Sequence, residues 1–525
     1  MPSVTGASSA SSAASPARSA ADMTRVLVRL VVAGIAGSIL IMIVVSLAHD
    51  SWMYPPMARS GAAPPWDLRS LHVSAGVATV ALWVAVLAGA GGVVAGLLAV
   101  QRGARPGVRA LLIAAAIAVA ALTVLPPAGS TDVFDYAAYG RIMALGHSPY
   151  LVTPHSLRVA HNAFARSVPF TWEHVVSVYG PLATVEQFLA AKLGGLSAAR
   201  VVFWLKLWNA IAFGAVAFVA DRLLRSDPAR RLRAHLLWTI NPLLLWDIIA
   251  AGHLDVLAAA AGLLGLLALG RQPDGARPGL ARVLAAGALI GIAADIKINY
   301  ALFGLGLAWA LRRSPGRLAA AGAAAIATGA PGYLGFGLPA VRALADRRSQ
   351  VSADTFYRFL SFDPHWRSHV TPVAAVLVVA VALLALRRMP AGDAARPAIR
   401  PALALSAAWL FLWPYQFPWY DVMIICLLVF YPASRLDWLV LGRLAAATIA
   451  TIPGNPPTII VAGTSHVVIL FHNAFVYALV PLALLAAAAG LVALCLSGRW
   501  NLRDPGGPLP GTAGEGVAPV PAATA

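Results

Sequence analysis

The sequence predicts an all-α, polytopic helical transmembrane protein, and three observations carry that prediction. The first is composition: 59% of residues are hydrophobic, 11% are charged, and the mean hydropathy is +0.76. Those values exclude an ordinary soluble globular chain. The second is the recurrence of apolar runs long enough to cross a bilayer, among them Leu27 to Ala48, Val73 to Val100, Ala110 to Leu125 and Phe471 to Leu496. By the ~20-residue criterion the chain offers about 12–14 spans, several of them short or broken by Pro and Gly. The third is the placement of arginine in short connections: Arg102, Arg105 and Arg109; Arg222 to Arg233; Arg271, Arg277 and Arg282; Arg312, Arg313 and Arg317; Arg387 to Arg400. Assigning all of them to the cytoplasm gives one self-consistent topology with both termini inside. The net charge of +18 is then a topology signal, and cations dispersed among loops argue against a nucleic-acid partner.

The elements follow in order. Residues 1–22 are rich in Ser and Ala without an apolar core and read as a disordered tail. Residues 23–108 form a transmembrane hairpin, since Leu27 to Ala48 is too long for a signal-peptide core and is kept as a mature span. Residues 109–432 form the core, 433–500 the C-terminal helices, and 501–525 a Pro/Gly/Ala-rich tail. A large first outer loop carries interfacial helices; within it Pro181 to Leu193 is amphipathic, with Pro181 acceptable in a first helical turn. The remaining outer segments are the long, aromatic and acid-containing ones, so the polar chemistry is expected outside the cytoplasm. Cys426 and Cys495 both lie in apolar spans and read as packing residues.

Candidate chemistry concentrates where the membrane must tolerate polar groups. If Ser130 to Tyr139 is helical, Asp132, Asp135, Tyr136 and Tyr139 share one face. Such a face offers a carboxylate able to take a hydroxyl proton beside rings suited to a pyranose. The bland reading of the same residues is a polar cap at the membrane surface. His253 and Asp255 close a span that begins at Asn241-Pro242, and are either a solvated cap or the lining of an outer cavity. Asp295 and Lys297 interrupt the apolar stretch Val283 to Leu311, where ionisable groups are expensive. Both are either wetted turn residues, or Lys297 reaches a phosphate from a water-filled cleft. Trp413 to Asp421 is an aromatic turn containing Gln416, Trp419 and Tyr420, more than an interfacial belt needs. The outer stretch with Arg347 and Arg348 is a solvated loop or a gate.

In order, Ser130-x-Asp132-Val133-Phe134-x-Tyr136, Gly146-x-x-Pro149-Tyr150, Tyr179-Gly180-Pro181-Leu182, Asn241-Pro242, Gly252-His253-x-Asp255, Lys297 and Pro418-Trp419-Tyr420 span most of the chain from Ala110 to Tyr431. This series resembles bacterial GT-C membrane glycosyltransferases, and within them the polyprenyl-phosphate-mannose-dependent α-1,6-mannosyltransferases. The chain departs from the family pattern at Leu254, where the family has Asn, and at Phe134, where it has Tyr.

The resemblance implies a GT-C-type core in the bacterial plasma membrane with its active site facing outside. It further implies a polyprenyl-phosphate sugar donor, most simply mannose, entering from the membrane lipid, and a glycan or glycolipid acceptor of the cell envelope. Asp132 takes the catalytic place, with Asp135 the runner-up. Tyr136, Tyr139, Tyr150, Tyr179, His253, Asp255, Lys297, Arg347, Arg348, Gln416, Trp419 and Tyr420 are the expected substrate-binding residues. No cofactor is obligatory, because a monophosphate leaving group beside cations needs none; Mg or Mn held by the two carboxylates is the alternative. Arabinofuranosyl, glucosyl and galactosyl donors fit the same superfamily. A polyprenyl-linked lipid or sugar transporter or flippase shares the spans and buried polar groups but would carry an internal repeat, and none is evident.

Overall fold

In a computed structural model of the protein the described residues are 14–48, 63–68, 70–162, 164, 168, 172–270, 277–347, 349–361, 364–393, 396–452, 470 and 473–502. Among them every regular element is helical, apart from two isolated β-bridges. Helices α1 (Ala14–Leu47) and α2 (Ala75–Gln101) pack as the expected hairpin, followed by α3 (Val108–Val124). The N-terminal tail expected through Asp22 is helical from Ala14 onward, because Ala-rich sequence joined to a stable span extends it at little cost. At the other end Asn501, expected in the C-terminal tail, bridges to Ser434.

Three helices that are not spans come next: α4 (Asp132–Ala144), α5 (His155–Val159) and α6 (Pro181–Gly194). Helix α6 packs across α4 and turns Val185, Leu189 and Leu193 outward, an apolar stripe at four-residue spacing that suits the membrane interface. Helices α7 (Ala198–Leu224), α8 (Pro228–Leu237) and α9 (Pro242–Leu244) lead into a π-helical turn, Leu245–Ala250. The chain then bends by 117° into α10 (Asp255–Ala268). Helix α11 (Leu280–Ile296) ends at a 3₁₀ turn, Ile298–Tyr300, which opens α12 (Ala301–Leu311). Beyond it lie α13 (Pro315–Phe336), α14 (Leu338–Ala345), α15 (Arg358–Ser361), α16 (Pro364–Arg388) and α17 (Ile399–Leu412). The 3₁₀ turn Pro418–Asp421 precedes α18 (Val422–Leu428) and α19 (Leu436–Ala450), and α20 (Val480–Ser497) closes the series.

Among the described residues five helices are long and apolar enough to cross a membrane, and the bent pair Pro228–Ala250 and Asp255–Ala268 makes a sixth when read as one broken span. The protein is therefore a multi-pass membrane protein. Several other expected spans are short apolar helices, among them Val108–Val124, Ile298–Leu311 and Ile399–Leu412. The 14-residue α17 rises about 21 Å, less than the ~30 Å of a hydrocarbon core. Short helices leave space at their ends, and that space holds the site.

One group of arginines ties helix ends together. Arg233 forms a bidentate pair with Asp437 at 2.7 Å and donates to the Leu428 and Tyr431 carbonyls. Arg230 donates to Phe430 O and Arg396 to Leu223 O, so α7, α8, α18 and α19 meet at one end.

Candidate active site

Helix α4 begins beyond α3, and Asp132 is its first residue, where a carboxylate meets the positive end of the helix dipole. Its backbone N–H donates to Ser130 Oγ at 3.3 Å. The 3.6-residue period then places Asp135 and Tyr139 on the same side, and all three line one cavity of about 600 Å³. Tyr139 is held there by donating to Val175 O at 3.0 Å.

Two glycines set the opposite wall. At Gly180 a Cβ would lie 1.4 Å from Asp295 O, so only glycine lets α6 start against the end of α11. This close approach carries Tyr179 into the cavity beside Lys297. Gly252 has φ +79°, a left-handed turn that breaks the span, and a Cβ there would press on Val133 at 2.9 Å. The break delivers His253 and Asp255 to the back of α4 and Lys297.

Lys297 Nζ donates to both oxygens of Asp255, at 2.8 and 2.7 Å, and lies 4.3 Å from the centroid of the Tyr420 ring. It still presents 12% of its side chain, whereas Asp255 is wholly buried. His253 stacks on Trp419 with ring centroids 3.7 Å apart. Its Nδ1 lies 3.3 Å from Tyr136 Oη and 3.8 Å from Asp132 Oδ2. Tyr179 Oη donates to Tyr136 Oη at 3.4 Å, completing a polar layer behind the two carboxylates.

The aromatic turn supplies Trp413, Tyr415, Phe417, Trp419 and Tyr420 to the cavity. It is braced from behind. Arg443, itself buried, donates to Asp421 and to Gln416 Oε1, and Ser352 Oγ exchanges hydrogen bonds with the Gln416 backbone. Arg347 follows α14 and lines the same cavity, and among the described residues its guanidinium has no ion pair. One side of the cavity is apolar: Ile298 in the 3₁₀ turn is followed by Leu302 and Leu305 on α12, and Ile298 and Leu305 are 46% and 55% exposed.

The two carboxylates are differentiated by their surroundings. Burial pushes Asp132 up to about 6, opposed by the charge of Lys297 and assisted by that of Asp255. Asp135 is driven well above the usual carboxylate range, first by burial and then by the charge of Asp132. Burial and the mutual charge thus give the two carboxylates different acidities. Asp135 Oδ1 is buried without a hydrogen-bond partner among the described residues.

The structure gathers Asp132, Asp135, Tyr139, Tyr179, Lys297, Arg347, Trp419 and Tyr420 around the cavity. It places other expected residues elsewhere. Tyr150 does not line the cavity: its hydroxyl donates to Tyr179 O at 2.8 Å and meets Thr184 Oγ1 at 2.9 Å, which buttresses the start of α6. Gln416 points away, into the Arg443 brace, because its amide satisfies a buried guanidinium. Tyr136, His253 and Asp255 form the layer behind the wall. The expectation that His253 and Asp255 line an outer cavity is thus corrected: both are fully buried, one by ring stacking and one by its ion pair. Lys297 is not a free cation awaiting a phosphate, since Asp255 already neutralises it. Arg348 lies outside the described residues.

Trp172, Asn299, Gln350 and Trp409 line the cavity and were not singled out by sequence. Asn299 had a legible signal, as a polar residue in the same interrupted span as Lys297. Trp409 had a weaker one, standing four residues before Trp413 on one helix face. Among the described residues, close-set groups of three metal-ligating side chains do not include Asp132 or Asp135.

Fold and site together define a multi-pass helical membrane protein with a cavity that joins two carboxylates and an aromatic wall to an apolar helix face. The chain belongs to the alpha-(1->6)-mannopyranosyltransferase family, whose N-terminal domain matches residues 31–313. A protein of Mycolicibacterium smegmatis named "Probable alpha-(1->6)-mannopyranosyltransferase" is 33% identical over 165 residues, 31% of this chain and 29% of that protein. Alpha-(1->6)-mannopyranosyltransferase B of Corynebacterium glutamicum is 30% identical over 203 residues, 36% of this chain and 32% of that one. The chain thus spans about a third of the length of these relatives. Among solved structures, ArnT from Cupriavidus metallidurans bound to undecaprenyl phosphate aligns over 75% of this chain and 73% of its own, at 19% identity and a TM-score of 0.39.

Proposed function

We propose that this protein is a GT-C membrane mannosyltransferase that moves mannose from a polyprenyl-phosphate donor to the 6-hydroxyl of a cell-envelope glycan or glycolipid, at the outer face of the plasma membrane. The observation that carries this reading is the two-sided cavity. A carboxylate near pH 6 in acidity stands at its polar end, and an apolar wall at the start of α12 continues onto an exposed apolar helix surface. A substrate with a sugar phosphate at one end and a hydrocarbon chain at the other fits that division.

The reaction is a single displacement. The acceptor oxygen forms a bond to the anomeric carbon as the bond from that carbon to the phosphate oxygen breaks. Asp132 takes the acceptor hydroxyl proton, and polyprenyl phosphate leaves with the bonding electron pair. Inversion to an α-linked product requires a β-linked donor. Arg347, whose guanidinium has no ion pair among the described residues, is assigned to the leaving phosphate, where developing negative charge gains most from a cation. Lys297 lines the cavity but is already neutralised by Asp255, so it contributes field more than a free charge. The aromatic wall of Tyr179, Trp419 and Tyr420 holds the pyranose faces. No metal takes part in this scheme.

The direct test offers several polyprenyl-phosphate sugars to purified membranes containing the protein, with mannose transfer expected and product linkage read by fragmentation. Transfer of another sugar with mannose rejected overturns the donor assignment. A second test is pH. A base raised to about 6 is protonated below that value, so kcat/KM falls about tenfold per unit as pH drops below 6 and is level above it. A flat profile between about pH 5 and 8 removes Asp132 as the base.

Sidedness has its own measurement. With Cys426 and Cys495 replaced, His147→Cys is expected to react with an impermeant thiol reagent in intact spheroplasts. Ser226→Cys, exposed at the arginine-rich end, reacts only after the membrane is opened. The reverse pattern places the cavity in the cytoplasm and favours a soluble sugar donor.

A further inference from the structure

A second cluster of ligand-type side chains lies outside the cavity, in the segment between α4 and α6. Glu173 is nearly buried, with 9% of its side chain exposed, and two imidazoles flank it. His155 Nδ1 is 3.7 Å and His174 Nε2 is 3.3 Å from the same oxygen, Glu173 Oε1. The two rings are tilted by 34° with centroids 4.4 Å apart. One ligand atom from each residue falls within 4.8 Å of the others.

This arrangement is not explained by hydrogen bonding. His155 Nδ1 is buried without a hydrogen-bond partner among the described residues, although it faces a carboxylate. No hydrogen bond joins His174 to Glu173 either, despite the short separation. The two separations to Glu173, 3.7 and 3.3 Å, bracket that of metal ligands: at bond lengths of about 2.1 Å, tetrahedral ligands lie about 3.4 Å apart. The other oxygen, Glu173 Oε2, accepts from Arg158 Nε at 2.7 Å, which fixes the carboxylate and leaves Oε1 turned toward the rings. Orientation of a ligating carboxylate by an outer hydrogen bond is the usual supporting arrangement.

We propose that His155, Glu173 and His174 bind one borderline divalent cation, zinc by preference, with water completing the coordination. Two nitrogens and one carboxylate oxygen are the donor set that zinc favours over magnesium or calcium, which take oxygen. The exposed imidazoles, 40% and 67% accessible, give the ion an entry path from solvent. The site ties the start of α5 to the segment that follows Trp172, reinforcing the backbone bond from His155 N to Glu173 O at 2.7 Å. Trp172 and Val175 on either side of the ligand pair both line the cavity, and Val175 O holds Tyr139. The cation is therefore a clamp on the outer wall of the active site, separate from the chemistry within it.

The test uses the full-length protein in detergent, purified without a polyhistidine tag, stripped with chelator and titrated with zinc against a micromolar chromophoric chelator. One equivalent is expected to compete with the chelator, and zinc is expected to raise the melting temperature. His174→Ala and Glu173→Gln each weaken binding at least about tenfold and abolish the melting shift. His147→Ala, an exposed histidine in the same outer segment, leaves both unchanged. Cobalt in place of zinc gives the visible absorption of a four-coordinate site in the wild type and not in His174→Ala. Among the described residues His174 makes no hydrogen bond and its side chain is 67% exposed, so its removal disturbs the ligand set more than the fold. Failure of the stripped wild type to compete for zinc, or undiminished affinity in both His174→Ala and Glu173→Gln, overturns the proposal. Neither outcome depends on sugar transfer.

Discussion

Asp132→Asn is expected to lower transfer by about 10²–10⁴-fold, the usual effect of removing a positioned general base, while expression and melting temperature stay at wild-type values. The substitution keeps size and leaves the backbone bond to Ser130 intact, since that bond uses the Asp132 N–H and not the carboxylate. The companion variant sharpens the result. Asp135 is held neutral by burial and by the neighbouring charge, so Asp135→Asn replaces one neutral polar group with another and is expected to cost less than about tenfold. Turnover measured on purified membranes with saturating donor separates the two. A dead Asp135→Asn beside an active Asp132→Asn moves the base to Asp135, and full activity in both ends the displacement scheme as written.

The second large effect concerns the Lys297–Asp255 pair. Among the described residues Lys297→Met deletes the one charge partner of a wholly buried carboxylate, and breaking a buried pair from one side costs about 3–5 kcal/mol. A sharp fall in melting temperature and yield is therefore expected for Lys297→Met and for Asp255→Leu. The double variant Asp255→Leu with Lys297→Met leaves no unpaired charge and fills similar volume, so it is expected to recover most of the loss. Kinetics of the stable double variant then read the role of the charge in transfer. A raised KM for the donor assigns Lys297 to uniform binding, and a lowered kcat assigns it to the departing phosphate. Single variants as stable as the wild type would show that the pair does not hold the broken span in place.

Much of this protein was legible before any coordinates. Composition and arginine placement sufficed for a multi-pass helical membrane protein, because a bilayer admits helices and little else. The face shared by Asp132, Asp135 and Tyr139 followed from helical period alone. The order of the motifs reached the family, which the match over residues 31–313 establishes. The sequence also located the aromatic turn and the interruption at Lys297, since polar and ring-rich residues stand out against an apolar background.

What sequence could not supply was the partner of each buried charge. Lys297 and Asp255 are 42 residues apart, and a free cation and a neutralised one look identical in a string of letters. Gln416 read as a sugar ligand and proved to be a brace, because Arg443 lies in a helix whose docking only the fold reveals. Tyr150 read likewise and proved to support α6. Local period and hydropathy are properties of neighbouring residues, so the sequence by itself determined the class, the helices and the acidic face of α4. Which polar groups meet across the bundle depends on long-range packing around the broken span at Gly252, and that the tertiary structure alone decided.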